Sequence, residues 1–204
     1  MNTENNKKNQ LKKVADALLP TKSGLFHLYV FRGKDNKEHV ALVMGKIKKD
    51  TPMLVRIHSE CLTGDIFGSL RCDCGPQLQA SLKQIKKEKS GILLYLRQEG
   101  RGIGLVNKIK AYALQDLGFD TVDANKQLGF EADAREYDIA ALMLAEFGVK
   151  KIKLLTNNPK KIKEITQCGI DVVKRISIQI KPNKVNKGYL LTKKNRLGHL
   201  LDYV

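Results

Sequence analysis

Tryptophan is absent from this chain of 204 residues, and aromatic residues make up only 6% of it. A platform for stacking nucleic-acid bases is therefore poorly supplied. No apolar run approaches the ~20 residues that a membrane span requires. The opening M-N-T-E-N-N-K-K-N-Q contains lysines but no apolar stretch behind them, so it does not read as a secretory signal. It reads as a flexible tail over residues 1–10, and the protein reads as cytoplasmic. Cysteine is sparse, with four residues. In a compartment where thiols stay reduced, four cysteines point to metal ligation or reactivity rather than to a disulfide framework. Internal repeats and low-complexity tracts are also missing.

What is present describes an ordinary globular chain with an unusual charge. Hydrophobic residues make up 42% of it, which argues against disorder. The length suits one well-buried domain, or one domain with a smaller lobe. The formal net charge is +16. Such an excess implies an anionic partner: nucleic acid, an anionic membrane or a phosphorylated small molecule. Charge alone favours nucleic acid, but the lysines are scattered rather than gathered into one block. A basic surface also serves plain solubility.

The first part of the chain alternates as strands do. L-F-H-L-Y-V-F (25–31), H-V-A-L-V-M-G (39–45) and M-L-V-R-I-H (53–58) are β-rich, with turn-like K-D-N-K and K-K-D-T-P between them. From Gly75 the period changes. Leu78, Leu82 and Ile85 fall at i, i+4 and i+7 and mark a helix. I-L-L-Y-L (92–96) is a short buried strand, and Leu105, Ile109 and Tyr112 mark a second helix. Ile139 to Phe147 is a third, apolar nearly all round. The run K-I-K-L-L-T-N-N-P-K-K-I-K-E-I-T-Q-C-G-I-D-V-V then reads as strand, turn, helix, strand. Asn158 suits the N-cap, Pro159 the first helical position and Gly169 the exit. A βαβ unit implies some parallel sheet. G-Y-L-L-T-K-K-N-R-L-G-H-L-L reads as a terminal helix followed by a loose end. The expected fold class is mixed α/β (α+β), strand-rich at first, with a later βαβ unit.

Three of the four cysteines crowd into H-S-E-C-L-T-G-D-I-F-G-S-L-R-C-D-C-G, from His58 to Gly75. Structural zinc sites are usually closed by four protein ligands, whereas catalytic ones keep three and leave a position open. In an extended segment Cys72 and Cys74 would face the same way and reach one metal together. Cys61 would come in from the end of the preceding strand, across a loop that Gly64 and Gly68 let fold back. A closed site with His58 or Cys168 as fourth ligand is the alternative. His58 stands an odd number of residues from Cys61, and so faces away if the strand continues that far. Cys168, near a helix C-terminus, reads as a buried apolar thiol.

These motifs resemble GTP cyclohydrolase II, whose zinc signature is similar to H-S-E-C-L-T-G-D…S-L-R-C-D-C-G-x-Q-L. The likeness continues in R-Q-E-G-R-G-I-G-L (97–105), A-Y-A-L-Q-D (111–116), L-G-F-E-A-D-A-R (128–135), L-L-T-N-N-P-K-K (154–161) and G-H-L-L (198–201). It runs from about Leu11 over nearly the whole chain. The resemblance implies a catalytic domain over residues 11–180, with 181–204 as a C-terminal segment of the same domain. It implies a cytoplasmic homodimer that converts GTP to 2,5-diamino-6-(5-phospho-ribosylamino)pyrimidin-4(3H)-one, formate and diphosphate, the first step of riboflavin biosynthesis. One zinc ion per subunit and magnesium on the substrate phosphates are implied with it, and neither nucleic acid nor membrane as a partner. The length leaves no room for the dihydroxybutanone phosphate synthase domain fused to some relatives.

Residue by residue, the resemblance makes Cys61, Cys72 and Cys74 the zinc ligands and Tyr112 a participant in ring opening. On the helical stripe with Leu105 and Ile109, Tyr112 also reads as core packing with its hydroxyl outward. Asp133 and Arg135 fall to the break between the α- and β-phosphates, with Arg135 as nucleophile and Asp133 as its base. A guanidinium beside a carboxylate is hard to deprotonate, so Arg135 as a phosphate clamp stands beside that role. Arg56, Ile57, His58, Ser59 and Glu60, with Gly100, Arg101 and Lys161, match nucleotide contacts. Glu99 and Gln77 match positions near the base, where a carboxylate would accept the N1 and N2 hydrogens of guanine. Thr121 and Thr156 complete the set. Lys160 and Lys163 read as solvated surface charges. Two rival readings remain: a ring-opening relative that keeps the formyl group, and a basic zinc-containing nucleic-acid module.

Overall fold

The computed structural model describes residues 11–34, 36–48 and 51–204, so the tail expected over 1–10 lies outside the described residues. A seven-stranded mixed sheet organises the chain: β1 (Leu11–Thr21), β2 (Gly24–Gly33), β3 (Glu38–Met44), β4 (Met53–Ser59), β5 (Gly91–Leu96), β6 (Lys151–Leu155) and β7 (Asp171–Ile176). The strand order is β1-β2-β3-β5-β4-β6-β7. Strands β1, β2, β3 and β5 pair antiparallel in succession, and β5, β4, β6 and β7 pair parallel. The early alternating strands and the later βαβ unit thus meet in one sheet, joined at β5.

Period-two alternation sorts the central strands between two cores. Val55, Ile57, Ile92, Leu94 and Leu96 face one side, against Tyr137, Ala140, Met143 and Leu144. Leu54 and Leu93 face the other, with Phe26, Ile85, Leu155 and Ile178. Strands β4 and β5 are buried almost throughout, as parallel strands covered on both faces must be.

Seven α-helices among the described residues cover the sheet and its rim: α1 (Leu62–Asp65), α2 (Cys74–Glu88), α3 (Gly104–Asp116), α4 (Thr121–Gln127), α5 (Asp138–Glu146), α6 (Pro159–Gln167) and α7 (Lys187–Leu197). Helix α6 begins as its sequence suggests. Asn158 Oδ1 accepts from the Lys160 amide at 3.0 Å, Pro159 is the first helical residue, and Gly169 follows the exit with φ +89°.

One strand is not foreshadowed in the sequence, and three expectations fail. Strand β1 carries no apolar alternation and is exposed along most of its length, so its ladder with β2 alone defines it. Helix α3 does not bury the stripe of Leu105 and Ile109, which are 38% and 47% exposed; it buries Lys108 and Ala111. Lys108 can turn inward because Glu99 neutralises it at 2.8 Å. Cys168 is exposed at the end of α6 rather than buried. The chain end is not loose. Gly198 ends α7 with φ +65°, Leu200 N donates to Asn157 O at 2.9 Å, and His199 and Leu201 are buried.

The C-terminal ends of β4, β5 and β6 open together. The connection from β4 leads to β5 on one side, and the next parallel strand, β6, lies on the other, so the rim of β4 is a topological switch point where crevices form. The fold's stability depends on the sheet centre there. Leu94→Ala, at a fully buried position of β5, is expected to cost about 2–5 kcal/mol, read as a lower urea midpoint with an unchanged m-value.

Candidate active site

At the rim of β4 the chain turns sharply after Ser59. Cys61 precedes α1, and its amide donates to Asp65 Oδ2 at 3.0 Å. Asp65 is gripped from two further sides: His58 Nε2 lies 3.0 Å from both its oxygens, and the Tyr95 hydroxyl donates at 3.0 Å. His58 is thus occupied in holding the loop. Cys72 and Cys74 are not on an extended segment. The backbone at Asp73 bends toward the helical region, and Cys74 is already the first residue of α2.

The three sulfurs nevertheless converge. All lie within 4.8 Å of one another, and Cys61 Sγ and Cys72 Sγ are 3.8 Å apart. Thiolates at ~2.3 Å from a tetrahedral zinc are about 3.8 Å apart, so the donor set and spacing fit that ion. Neither His58 nor Cys168 joins this cluster among the described residues. Two glycines make the convergence possible. A Cβ on Gly64 would sit 2.8 Å from Cys72 Sγ and 3.1 Å from Cys61 Sγ, and one on Gly75 would sit 2.1 Å from Gly64 O. Hydrogen bonds from Cys72 and Cys74, helped by the Lys108 ammonium, push the Cys61 thiol far down. The contact with Cys61, and then burial, push Cys72 up to about 11 against the opposing effect of Cys74, while contacts with Cys61 and Cys72 together with burial raise Cys74.

Beside the thiols, α3 presents Lys108 and Tyr112. Lys108 Nζ lies 3.2 Å from Cys61 Sγ. The Tyr112 hydroxyl is 3.5 Å from Thr63 Oγ1, which is itself 3.8 Å from Cys61 Sγ. The Arg71 guanidinium lies 5.0 Å from the centre of its ring. Burial raises the phenol's pKa. Glu99 is heavily engaged: one oxygen accepts from Leu62 N at 2.6 Å, the other from Gly100 N at 2.9 Å and from Lys108. Gln77 is equally committed, accepting from Arg56 Nη2 at 2.7 Å and donating to Asp73.

The same cleft is also lined by cations. Arg135 makes a two-pronged pair with Asp133, at 2.8 Å from Nε and 2.6 Å from Nη2. Burial raises the Asp133 carboxyl, but Arg135 more than reverses this and holds it at about 2. The pair is largely buried. Gly102 and Ala134 press together, Ala134 N donating to Arg101 O at 3.1 Å, so the E-G-R-G turn braces the D-A-R loop. Arg101 itself holds φ +60°, a strained value for a residue with a side chain. Lys161 donates to Ile57 O at 2.7 Å; burial, then Arg56 and Arg135, push its pKa well below the ordinary lysine range. Burial likewise lowers Arg56.

Sixteen of the eighteen sequence-selected residues line this one cleft: Arg56, His58, Ser59, Glu60, Cys61, Cys72, Cys74, Gln77, Glu99, Gly100, Arg101, Tyr112, Thr121, Arg135, Thr156 and Lys161. Ile57 contributes only its carbonyl, its side chain lying in the core, and Asp133 stands behind Arg135. Lys160 is not simply solvated, since it donates to Asp133 O at 3.0 Å. Sequence reasoning missed Arg71, Lys108, Tyr189, Lys193 and His199, which also line the cleft. Lys108 was within reach, one helical turn before Tyr112. Gly75→Ala is expected to weaken metal binding at the thiols at least tenfold, because a backbone oxygen stands where the methyl would go. Competition with a chromophoric chelator measures this.

Comparison with known proteins agrees with the motifs. Residues 12–177 match the family described as GTP cyclohydrolase II. GTP cyclohydrolase-2 of Shewanella baltica is 55% identical over 193 residues, covering 94% of this chain and 95% of that protein. Riboflavin biosynthesis protein RibBA of Bacillus cereus is 56% identical over 189 residues, covering 92% of this chain and 48% of that protein. The chain therefore spans about half the length of the RibBA relatives it matches. The solved structure of RibBX, a two-domain 3,4-dihydroxy-2-butanone 4-phosphate synthase from A. baumannii, overlays loosely, with a TM-score of 0.39 and 24% identity over 72% of this chain and 34% of that one. With matched residues extending across the sheet, the cysteine cluster and the cationic wall, this chain belongs to the GTP cyclohydrolase II family.

Proposed function

We propose that the protein hydrolyses GTP to 2,5-diamino-6-(5-phospho-ribosylamino)pyrimidin-4(3H)-one, formate and diphosphate, as the entry to riboflavin biosynthesis. One observation carries the reading: three convergent thiols and a set of buried cations line the same cleft. The reaction must open an imidazole ring at C8 and also cleave a phosphoanhydride, so it requires two unlike pieces of apparatus in one site. Zinc held by Cys61, Cys72 and Cys74 would supply Lewis acidity and an acidified water for the ring. Magnesium would arrive with the phosphates.

The chain's own groups supply the rest. Tyr112, whose hydroxyl lies 3.5 Å from Thr63 Oγ1 and whose pKa burial raises, would give or take a proton at the ring. Lys108 and Glu99 hold the first turn of the thiol loop through Leu62 N. Glu99 retains lone pairs for guanine, although its present donors make holding the loop its first task. Arg56, Arg101, Arg135 and Lys161 line the cleft and would take the phosphates, and Thr121 and Thr156 line it with them. Arg135 is better suited to clamping than to attack. Burial works against its charge, but Tyr137 and the Asp133 pair outweigh this and hold its pKa above the ordinary arginine value. A guanidinium so held stabilises charge on the departing diphosphate.

The burial of Arg56, Arg135 and Lys161 favours a small anion over a nucleic-acid backbone. The apolar side chains exposed at Ile66, Phe67, Leu70 and Leu117 support a homodimer, with a second copy covering them. No described helix is long and apolar enough to cross a membrane, and a cytoplasmic setting suits the reduced thiols.

Mass-spectrometric product analysis after incubation with GTP, zinc and magnesium tests the reading. The diaminopyrimidinone monophosphate is expected, with formate and diphosphate in equal amounts. A formyl-bearing product would point to the ring-opening relative, and intact GTP with zinc-loaded protein would overturn the assignment. Cys72→Ser is expected to lose both metal and ring opening; full turnover by metal-free Cys72→Ser would remove the metal from the mechanism. Arg135→Ala is expected to slow diphosphate release about 100-fold or more, read by a coupled phosphate assay.

A further inference from the structure

We propose that α7 and the turn after it close the cleft over the substrate's phosphates, with Lys193 as a polyphosphate-binding residue that Asp73 holds in place beforehand. The inference rests on the reading of the cleft as a GTP site. It concerns a segment beyond residue 177, where the family match ends.

Tyr189 and Lys193 are one turn apart on α7 and share a face. Both line the cleft, as does His199 just past the helix. Two cations lie over the Tyr189 ring, Lys193 Nζ at 5.1 Å and the Arg101 guanidinium at 5.8 Å from its centre. Lys193 is only 12% exposed, and its ammonium donates to Asp73 Oδ1 at 2.9 Å. An ammonium has three protons to donate, so Lys193 can keep Asp73 and still reach a phosphate oxygen. His199 Nδ1 is buried without a hydrogen-bond partner. Burial first, then Lys193, Arg135 and Arg101, push the His199 pKa down to about 3. It is therefore neutral, and the cations that depress it converge from α7, the D-A-R loop and the E-G-R-G turn.

The charges on this wall do not balance. Arg56, Arg101, Arg135, Lys161 and Lys193 face the cleft; Asp73 pairs with Lys193 and Asp133 with Arg135, while the other lining carboxylates, Glu60 and Glu99, are taken by Arg97 and Lys108. Buried cations in excess call for an anion. The segment that brings Lys193 is strapped to the site at three places. Asn186 Nδ2 donates to Cys72 O at 3.3 Å, Arg196 pairs with Asp120 and Asp123 beside α4, and Leu200 N donates to Asn157 O. A helix serving only to cover the sheet would have no reason to aim a lysine, a tyrosine and an unpartnered imidazole into the cleft.

The rival role is structural: Lys193 could serve only to hold Asp73, which lies between two of the thiol donors. Calorimetric titration with inorganic tripolyphosphate separates the two roles, run on zinc-loaded wild-type protein, Lys193→Met, Lys193→Gln and Lys193→Arg. Lys187→Met, at the exposed start of α7, is the control. Loss of Lys193 is expected to weaken tripolyphosphate binding and raise the KM for GTP about tenfold or more, with zinc content unchanged. Lys193→Arg restores part of the loss, and the control changes neither. Lys193→Gln keeps a hydrogen bond to Asp73 and serves if the methionine variant fails to fold. Unchanged tripolyphosphate affinity would overturn the proposal, and so would weakened binding accompanied by lost zinc. Lys193-dependent tripolyphosphate binding by a protein that leaves GTP intact would defeat the GTP reading alone. GTP turnover with a KM and tripolyphosphate affinity indifferent to Lys193 would defeat this inference alone.

Discussion

Buried positive charge is the constraint around which this structure is arranged. Arg56, in the middle of β4, and Lys161, in the first turn of α6, are almost wholly inaccessible, and Arg135 is close behind them. Such groups are costly inside a protein unless most of their protons are satisfied, and only Arg56 Nε among their nitrogens is buried without a partner. Here the backbone does much of that work: Leu155 O takes Arg56 and Ile57 O takes Lys161. Using carbonyls in place of carboxylates leaves the positive field uncancelled. A cleft with that field is prepared for an anion before one arrives, at the expense of fold stability.

The second constraint is steric. Three thiols can share one centre only if the loops carrying them come into backbone contact, and Gly64 against Gly75 is that contact. Asp65 then ties the loop to the sheet through His58 and Tyr95. Helix α3 joins the two halves of the cleft: Lys108 touches the Cys61 sulfur, and the turn that precedes α3 braces the loop bearing Arg135. The thiols and the cations of the cleft are thus mechanically one unit.

Much of this was legible in the chain. Period-two and helical spacings marked β2 to β5, α2, α5 and the β6–α6–β7 unit, because buried faces impose their periods on sequence. Strand β1 was not legible, since its face is solvated and only pairing with β2 makes it a strand. The stripe on α3 misled for a related reason. Apolar spacing marks the buried face only when the opposite face is solvated, and on α3 the polar face is turned into the cleft.

The mixed α/β class, the three-thiol cluster and the motif residues are written locally in the chain, because thiol clustering, glycine turns and N-caps each demand particular residue types at short range. Long-range packing settled the rest. It turned His58 toward Asp65, placed Asp133 behind Arg135, occupied Glu99 and Gln77 with internal partners, and brought Tyr189, Lys193 and His199 from the chain's end into the cleft. Those outcomes depend on which groups meet across long sequence separations, and on how buried charges compete for the same few partners. No local spacing encodes either.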